Sequence, residues 1–68
     1  MNGREFVRRA RGYAKRTSQA FSFDARRGKG SHGVLYLGDR RTVVQHGELK
    51  PGTLRNMLRQ LEIPKEDF

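Results

Sequence analysis

The chain has no cysteine. That excludes a disulfide framework and any thiolate-held metal site, and it suits a cytosolic, cytoplasmic protein. No apolar run approaches the roughly 20 residues that a membrane span needs, and the N-terminus lacks the hydrophobic segment of a signal peptide. The expectation is therefore a soluble protein that stays where it is made, with no membrane partner. Acids are scarce as well: the seven Asp and Glu are scattered and form no obvious pair, which argues against paired-carboxylate hydrolysis. Hydrophobic residues make up 34% of 68, enough for one thin core and no second layer. One small domain spanning 1–68 is expected, marginally stable unless something binds it.

What the chain has in excess is positive charge. Fifteen Lys and Arg give a formal net charge of +8. Its placement is uneven: residues 1–30 hold nine cations against Glu5 and Asp24, whereas residues 31–68 hold six cations against five acids. A basic surface concentrated in one half is the footprint of a polyanion binder, because each neutralised phosphate releases condensed counterions. Nucleic acid, an anionic membrane surface and an acidic protein all match that charge. A solvated basic face kept for solubility is the plainer alternative.

The first segment reads as a helix from Gly3 to Arg16. Phe6, Val7, Ala10, Tyr13 and Ala14 draw one apolar stripe on a 3.6-residue period, while Arg4, Arg8, Arg11 and Lys15 draw a cationic one well away from it. Asn2 is placed to cap this helix, with Glu5 as a capping-box partner. From Gln19 to Asp24 the period falls to two, with Phe21 and Phe23 alternating with smaller or polar residues, as in a half-buried strand. A basic, glycine-bearing loop, Arg26 to Gly30, leads into a second strand from Ser31 to Leu37. Gly38, Asp39 and Arg40 supply a turn, and Thr42 to Val44 a third strand, so these two strands should form an antiparallel hairpin. Pro51 opens a second helix with Leu54, Met57, Leu58 and Leu61 on one face, and Pro64 is expected to end it. The tail should fold Phe68 back onto apolar surface. The order αβββα is an α+β fold whose economical packing sets both helices on one face of a three-stranded antiparallel sheet and leaves the other face open.

Few residues could carry chemistry. His32 and His46, with no nearby acid, make a poor zinc set, and no metal or cofactor is expected. The GKGS stretch at 28–31 lacks the spacing and the preceding parallel unit of a nucleotide-binding phosphate loop. His32 stands out because it follows Arg26, Arg27, Gly28, Lys29, Gly30 and Ser31. An imidazole that exchanges protons near neutral pH, beside fixed positive charge, is a workable minimum for cleaving RNA: a base for the ribose 2′-OH and cations for the charged transition state. A surface histidine at a strand end is the alternative. Strand parity groups His32 with Val34 and Tyr36, and Gly33 with Leu35 and Leu37. Both sets are largely apolar, so parity alone leaves open which one faces the helices. His46 is either an auxiliary to the chemistry or a loop histidine bonded to its neighbours.

The stretch GKGSH at 28–32, the hairpin after it, and VVQHGELKPGTLRNMLRQLEI at 43–63 resemble the HicA family of mRNA interferase toxins. GSH alone is a weak signal, but GSH followed some 18 residues later by KPGTLRNML is far more specific. The resemblance runs from the first helix to the terminal Lys65, Glu66, Asp67 and Phe68. It departs locally: many members carry an aromatic at the start of the first strand and a proline in the third, where this chain has Ala20, Phe21 and then Val44, Gln45. The resemblance implies a double-stranded-RNA-binding-domain-like αβββα fold, metal-independent cleavage of mRNA, and a HicB-type antitoxin partner that covers the active site. It places the catalytic role on His32 and a less defined one on His46, with Gly30 and Ser31 on the approach. Arg26, Arg27, Lys29, Arg4, Arg8, Arg11 and Lys15 are the expected RNA-binding residues. The rival functions are a non-catalytic double-stranded RNA-binding module, which the same charge would serve, and an adaptor that docks an acidic protein. Whether the chain forms homo-oligomers is left open.

Overall fold

The computed structural model describes residues 1–26 and 32–68. Helix α1 spans Gly3–Arg16, strands β1 Phe21–Asp24, β2 His32–Leu37 and β3 Arg40–Gln45, and helix α2 Pro51–Leu61; a short 3-10 turn, Lys65–Asp67, closes the chain. The strands form one antiparallel sheet in the order β1-β2-β3.

Helix α1 begins where the cap chemistry places it. The Asn2 side-chain oxygen accepts a hydrogen bond from the Glu5 backbone N–H at 2.8 Å, filling one of the donors that a helix start leaves unpaired. The expected reciprocal half of the capping box is not made. The Glu5 carboxylate turns along the helix to Arg9 at 3.0 Å, one turn on, where opposite charges four residues apart face each other. Two further bonds pin the N-terminus across the fold: Gly3 N–H to the Gly47 carbonyl and Leu49 N–H to the Met1 carbonyl, both at 2.9 Å.

The β2–β3 hairpin turns on two residues, Gly38 and Asp39, since Leu37 pairs with Arg40. Gly38 has φ +61°, as the first central position of a type II′ turn requires, and this is where a two-residue turn matches the twist of its strands. Arg40 therefore belongs to β3 rather than to the turn, and β3 is longer at both ends than the Thr42–Val44 expected from propensity. Helix α2 stops at Leu61, three residues before Pro64. Glu62 adopts the left-handed conformation at φ +55° and Ile63 N–H bonds the Leu58 carbonyl, so the helix is closed by its own C-cap before the proline can act. The Glu62 carboxylate pairs with the Arg40 guanidinium at 2.8 Å.

Both helices lie on one face of the sheet. Phe6, Ala10, Tyr13 and Ala14 of α1 and Met57, Leu58 and Leu61 of α2 pack on Leu35, Leu37 and Val44, with Leu49 and Ile63 closing the ends. Thr42 is buried in the same layer and donates its hydroxyl hydrogen bond to Gln60 of α2. The tail folds back as expected: the Phe68 ring lies 4.8 Å from that of Phe6, while Arg16 bonds the Asp67 carbonyl at 2.7 Å.

Candidate active site on the open face of the sheet

The parity left open by the sequence is settled by burial. Along β2, Gly33, Leu35 and Leu37 are buried under the helices, whereas His32, Val34 and Tyr36 are half-buried and point to the opposite face. His32 thus sits at the first position of the central strand, on the side free of both helices. Its neighbour across the β2–β3 ladder is Gln45, and Val34 and Tyr36 are followed across the same ladder by Val43 and Arg41. On the β1 side this face carries Ser22 and Asp24, opposite Tyr36 and Val34.

The ground on which His32 stands is tightly specified. A Cβ on Gly33 would lie 2.6 and 2.9 Å from ring carbons of Phe23 and 3.0 Å from the Asp24 carbonyl oxygen, so only glycine lets the Phe23 ring close over β2 directly behind the histidine. Just past the strand, the Asp24 carboxylate accepts the Arg26 backbone N–H at 3.0 Å. This Asx-type turn keeps Arg26 at the same end of the sheet as His32. Arg27, Lys29, Gly30 and Ser31 of the expected site lie outside the described residues.

His46 is exposed and does not join His32. Because Gln45 is the cross-strand partner of His32, the next residue has the opposite parity and lines a cleft of about 180 Å³ on the helix side of the sheet, with Arg4, Val7, Phe23, Ala25 and Val44. The two histidines flank one end of the sheet from opposite sides. The cationic stripe of α1 also belongs to the helix layer. Arg4, Arg8, Arg11 and Lys15 are all exposed there, with Arg4 in the His46 cleft and the Arg11 guanidinium 5.4 Å above the Phe21 ring of β1. The stripe and His32 therefore stand on different faces; Arg4 reaches the histidine's end of the sheet from the helix side, and Arg26 follows β1 at that end. Arg9 and Arg16, which fall off the stripe, instead bond the carbonyls of Phe68 and Asp67.

Three groups on the open face carry no individual signal in the sequence. Asp24 reads there as a strand-end acid, and Gln45 and Arg41 as ordinary strand polar residues. Gln45 and Arg41 become the partners of His32 and Tyr36 through the β2–β3 register, which a two-residue loop after Leu37 would have given, whereas Asp24 reaches Val34 through the β1–β2 pairing.

The architecture defines a small, strongly basic α+β protein with the double-stranded-RNA-binding-domain-like order and a histidine at the head of the sheet face opposite its two helices. A family model, described as HicA toxin of bacterial toxin-antitoxin, matches residues 14–63. The chain belongs to that family of toxins. No curated protein and no solved structure matches it.

Proposed function

We propose that this chain is the toxin of a type II toxin–antitoxin system, a metal-independent endoribonuclease that cleaves mRNA with His32 as general acid/base and is neutralised by a HicB-type antitoxin in the bacterial cytoplasm. The observation that carries this reading is the position of His32 on the sheet face away from the helices, in a chain of net charge +8 that belongs to a toxin family. An extended RNA strand can approach that face without displacing either helix.

The chemistry needs little more. His32 takes the proton of a ribose 2′-OH, the 2′-oxygen attacks the adjacent phosphorus, and the P–O5′ bond breaks. The products are a 2′,3′-cyclic phosphate and a 5′-hydroxyl, the departing oxygen taking its proton from the imidazolium formed in the first step or from water. Fixed guanidinium charge stabilises the phosphorane-like transition state. A positioned base of this kind contributes about 10²–10⁴-fold.

The test is a product analysis with RNA of defined sequence. The expected result is cleavage that leaves a cyclic phosphate, proceeds unchanged in EDTA, and stops when the scissile nucleotide is 2′-deoxy. Cleavage of the 2′-deoxy substrate would refute the mechanism. Salt-sensitive binding with intact RNA would favour the non-catalytic RNA-binding module.

A further inference from the structure

The open face holds more than His32. Val34 and Val43 are Cα partners in the ladder, Tyr36 follows Val34 on the same face, and Arg41 lies directly opposite Tyr36. Val43 is 53% exposed, and it is the exposed large hydrophobic residue among those described. Together with Gln60 and Thr42 at the β3 edge, these side chains line a shallow hollow of about 450 Å³. A single exposed valine is ordinary on a protein surface; what singles out this strip is an aromatic ring on the strand that His32 heads, with a guanidinium opposite it on β3.

We infer that this strip is a single-stranded RNA track, in which Tyr36 stacks one base of the substrate and Arg41 pairs with the adjoining phosphate. The inference deepens the ribonuclease reading and rests on it. Three features choose RNA over other occupants. First, the patch is two valines and one aromatic ring, about the footprint of a base, whereas a stable protein interface buries roughly 800 Å² per partner. Second, Arg41 flanks the ring of Tyr36 with a guanidinium, while the acid on this face among the described residues, Asp24, lies beside Val34 and accepts the Arg26 backbone N–H. Third, the strip is continuous with His32 along one strand. Tyr36 stands four positions beyond His32, about 13 Å along β2, which an extended stretch of a few nucleotides spans. Aromatic stacking on a sheet face is a sequence-tolerant way to hold a strand, because every base has a π-face. It would set which nucleotide reaches the imidazole.

The experiment uses the full chain in a His32→Ala background, chosen to slow turnover below the time of the measurement, and a short fluorescein-labelled single-stranded RNA containing a mapped cleavage site. Binding is read by anisotropy for Tyr36, Tyr36→Phe and Tyr36→Leu, with thermal melts to verify that each variant is folded. Tyr36→Leu is expected to weaken binding by about 5- to 150-fold, and Tyr36→Phe, which keeps the ring, by no more than about twofold. The same oligonucleotide with one abasic site moved along it adds a readout that a structural role would not move. One position should weaken the chain with Tyr36 and leave Tyr36→Leu unaffected.

Equal affinity for Tyr36 and Tyr36→Leu, or an abasic penalty that is the same in both, overturns the stacking inference while cleavage by the His32 chain leaves the nuclease reading standing. Tyr36→Leu that binds RNA normally but loses its antitoxin also overturns it, and makes the strip a protein contact. A chain with His32 intact that neither binds nor cleaves single-stranded RNA overturns both.

Discussion

Gly33→Ala probes the packing that places His32. The added Cβ would meet the Phe23 ring at 2.6 and 2.9 Å and the Asp24 carbonyl oxygen at 3.0 Å. The ring, half-buried at the end of β1, must move by roughly an ångström to restore ordinary contact, and the carbonyl moves only with its strand. Overpacking of this kind costs about 1–3 kcal/mol, offset by about 0.5–1 kcal/mol because alanine loses less backbone entropy than glycine in a strand. The net destabilisation is about 1–2 kcal/mol. For 68 residues at roughly 0.05–0.15 kcal/mol each, total stability is on the order of 3–10 kcal/mol, so the loss is a large share. The melting temperature should fall by roughly 5–15 °C, at about 4–8 °C per kcal/mol for a domain of this size. Thermal melts by circular dichroism measure it. A second substitution, Phe23→Leu, removes the colliding ring carbons, so the double variant should be more stable than the two single losses predict when added. A Gly33→Ala chain as stable as the parent, or strictly additive losses, would refute the close packing of Phe23 on β2.

Gly12→Ala is the opposite case: its Cβ would meet nothing nearer than Arg16 at 3.7 Å, so melts should show stabilisation by about 0.5–1 kcal/mol. Asn2→Ala removes the cap of α1 and should cost about 1 kcal/mol in urea unfolding, while Asn2→Ser should cost little. Phe68→Ala removes the ring packed at a tilt against Phe6 and should cost about 1–3 kcal/mol, with Phe68→Leu losing less because it keeps the apolar burial.

The legible parts of this fold are those set by local chemistry. The span of α1 followed from Asn2 and its apolar stripe, and the αβββα order from the change of period between Arg16 and Phe21. What depended on pairing was not local. The inward face of β2 could not be read because Val34 and Tyr36 are nearly as apolar as Leu35 and Leu37, and only the helices decide which set is covered. Arg40 looks like a turn residue until Gly38 takes φ +61° and brings Leu37 and Arg40 into register. Helix α2 ends at Leu61 with Glu62 as a left-handed C-cap, a position that sequence propensity does not mark, and the Ile63 amide closes it on the Leu58 carbonyl. The same limit governs the site. His32 was visible as a histidine after a basic glycine-bearing loop, but its separation from His46 and from the α1 cations is a matter of strand parity and layer, and the Tyr36–Arg41 pair exists only once the ladder is known.

The most direct measurement is the initial rate of RNA cleavage by His32→Ala against the parent chain, at equal concentrations and with matching melts for the two proteins. The ribonuclease account predicts a fall of at least 10²–10⁴-fold in the alanine variant. A variant that is folded and cuts RNA at near the parental rate would contradict it.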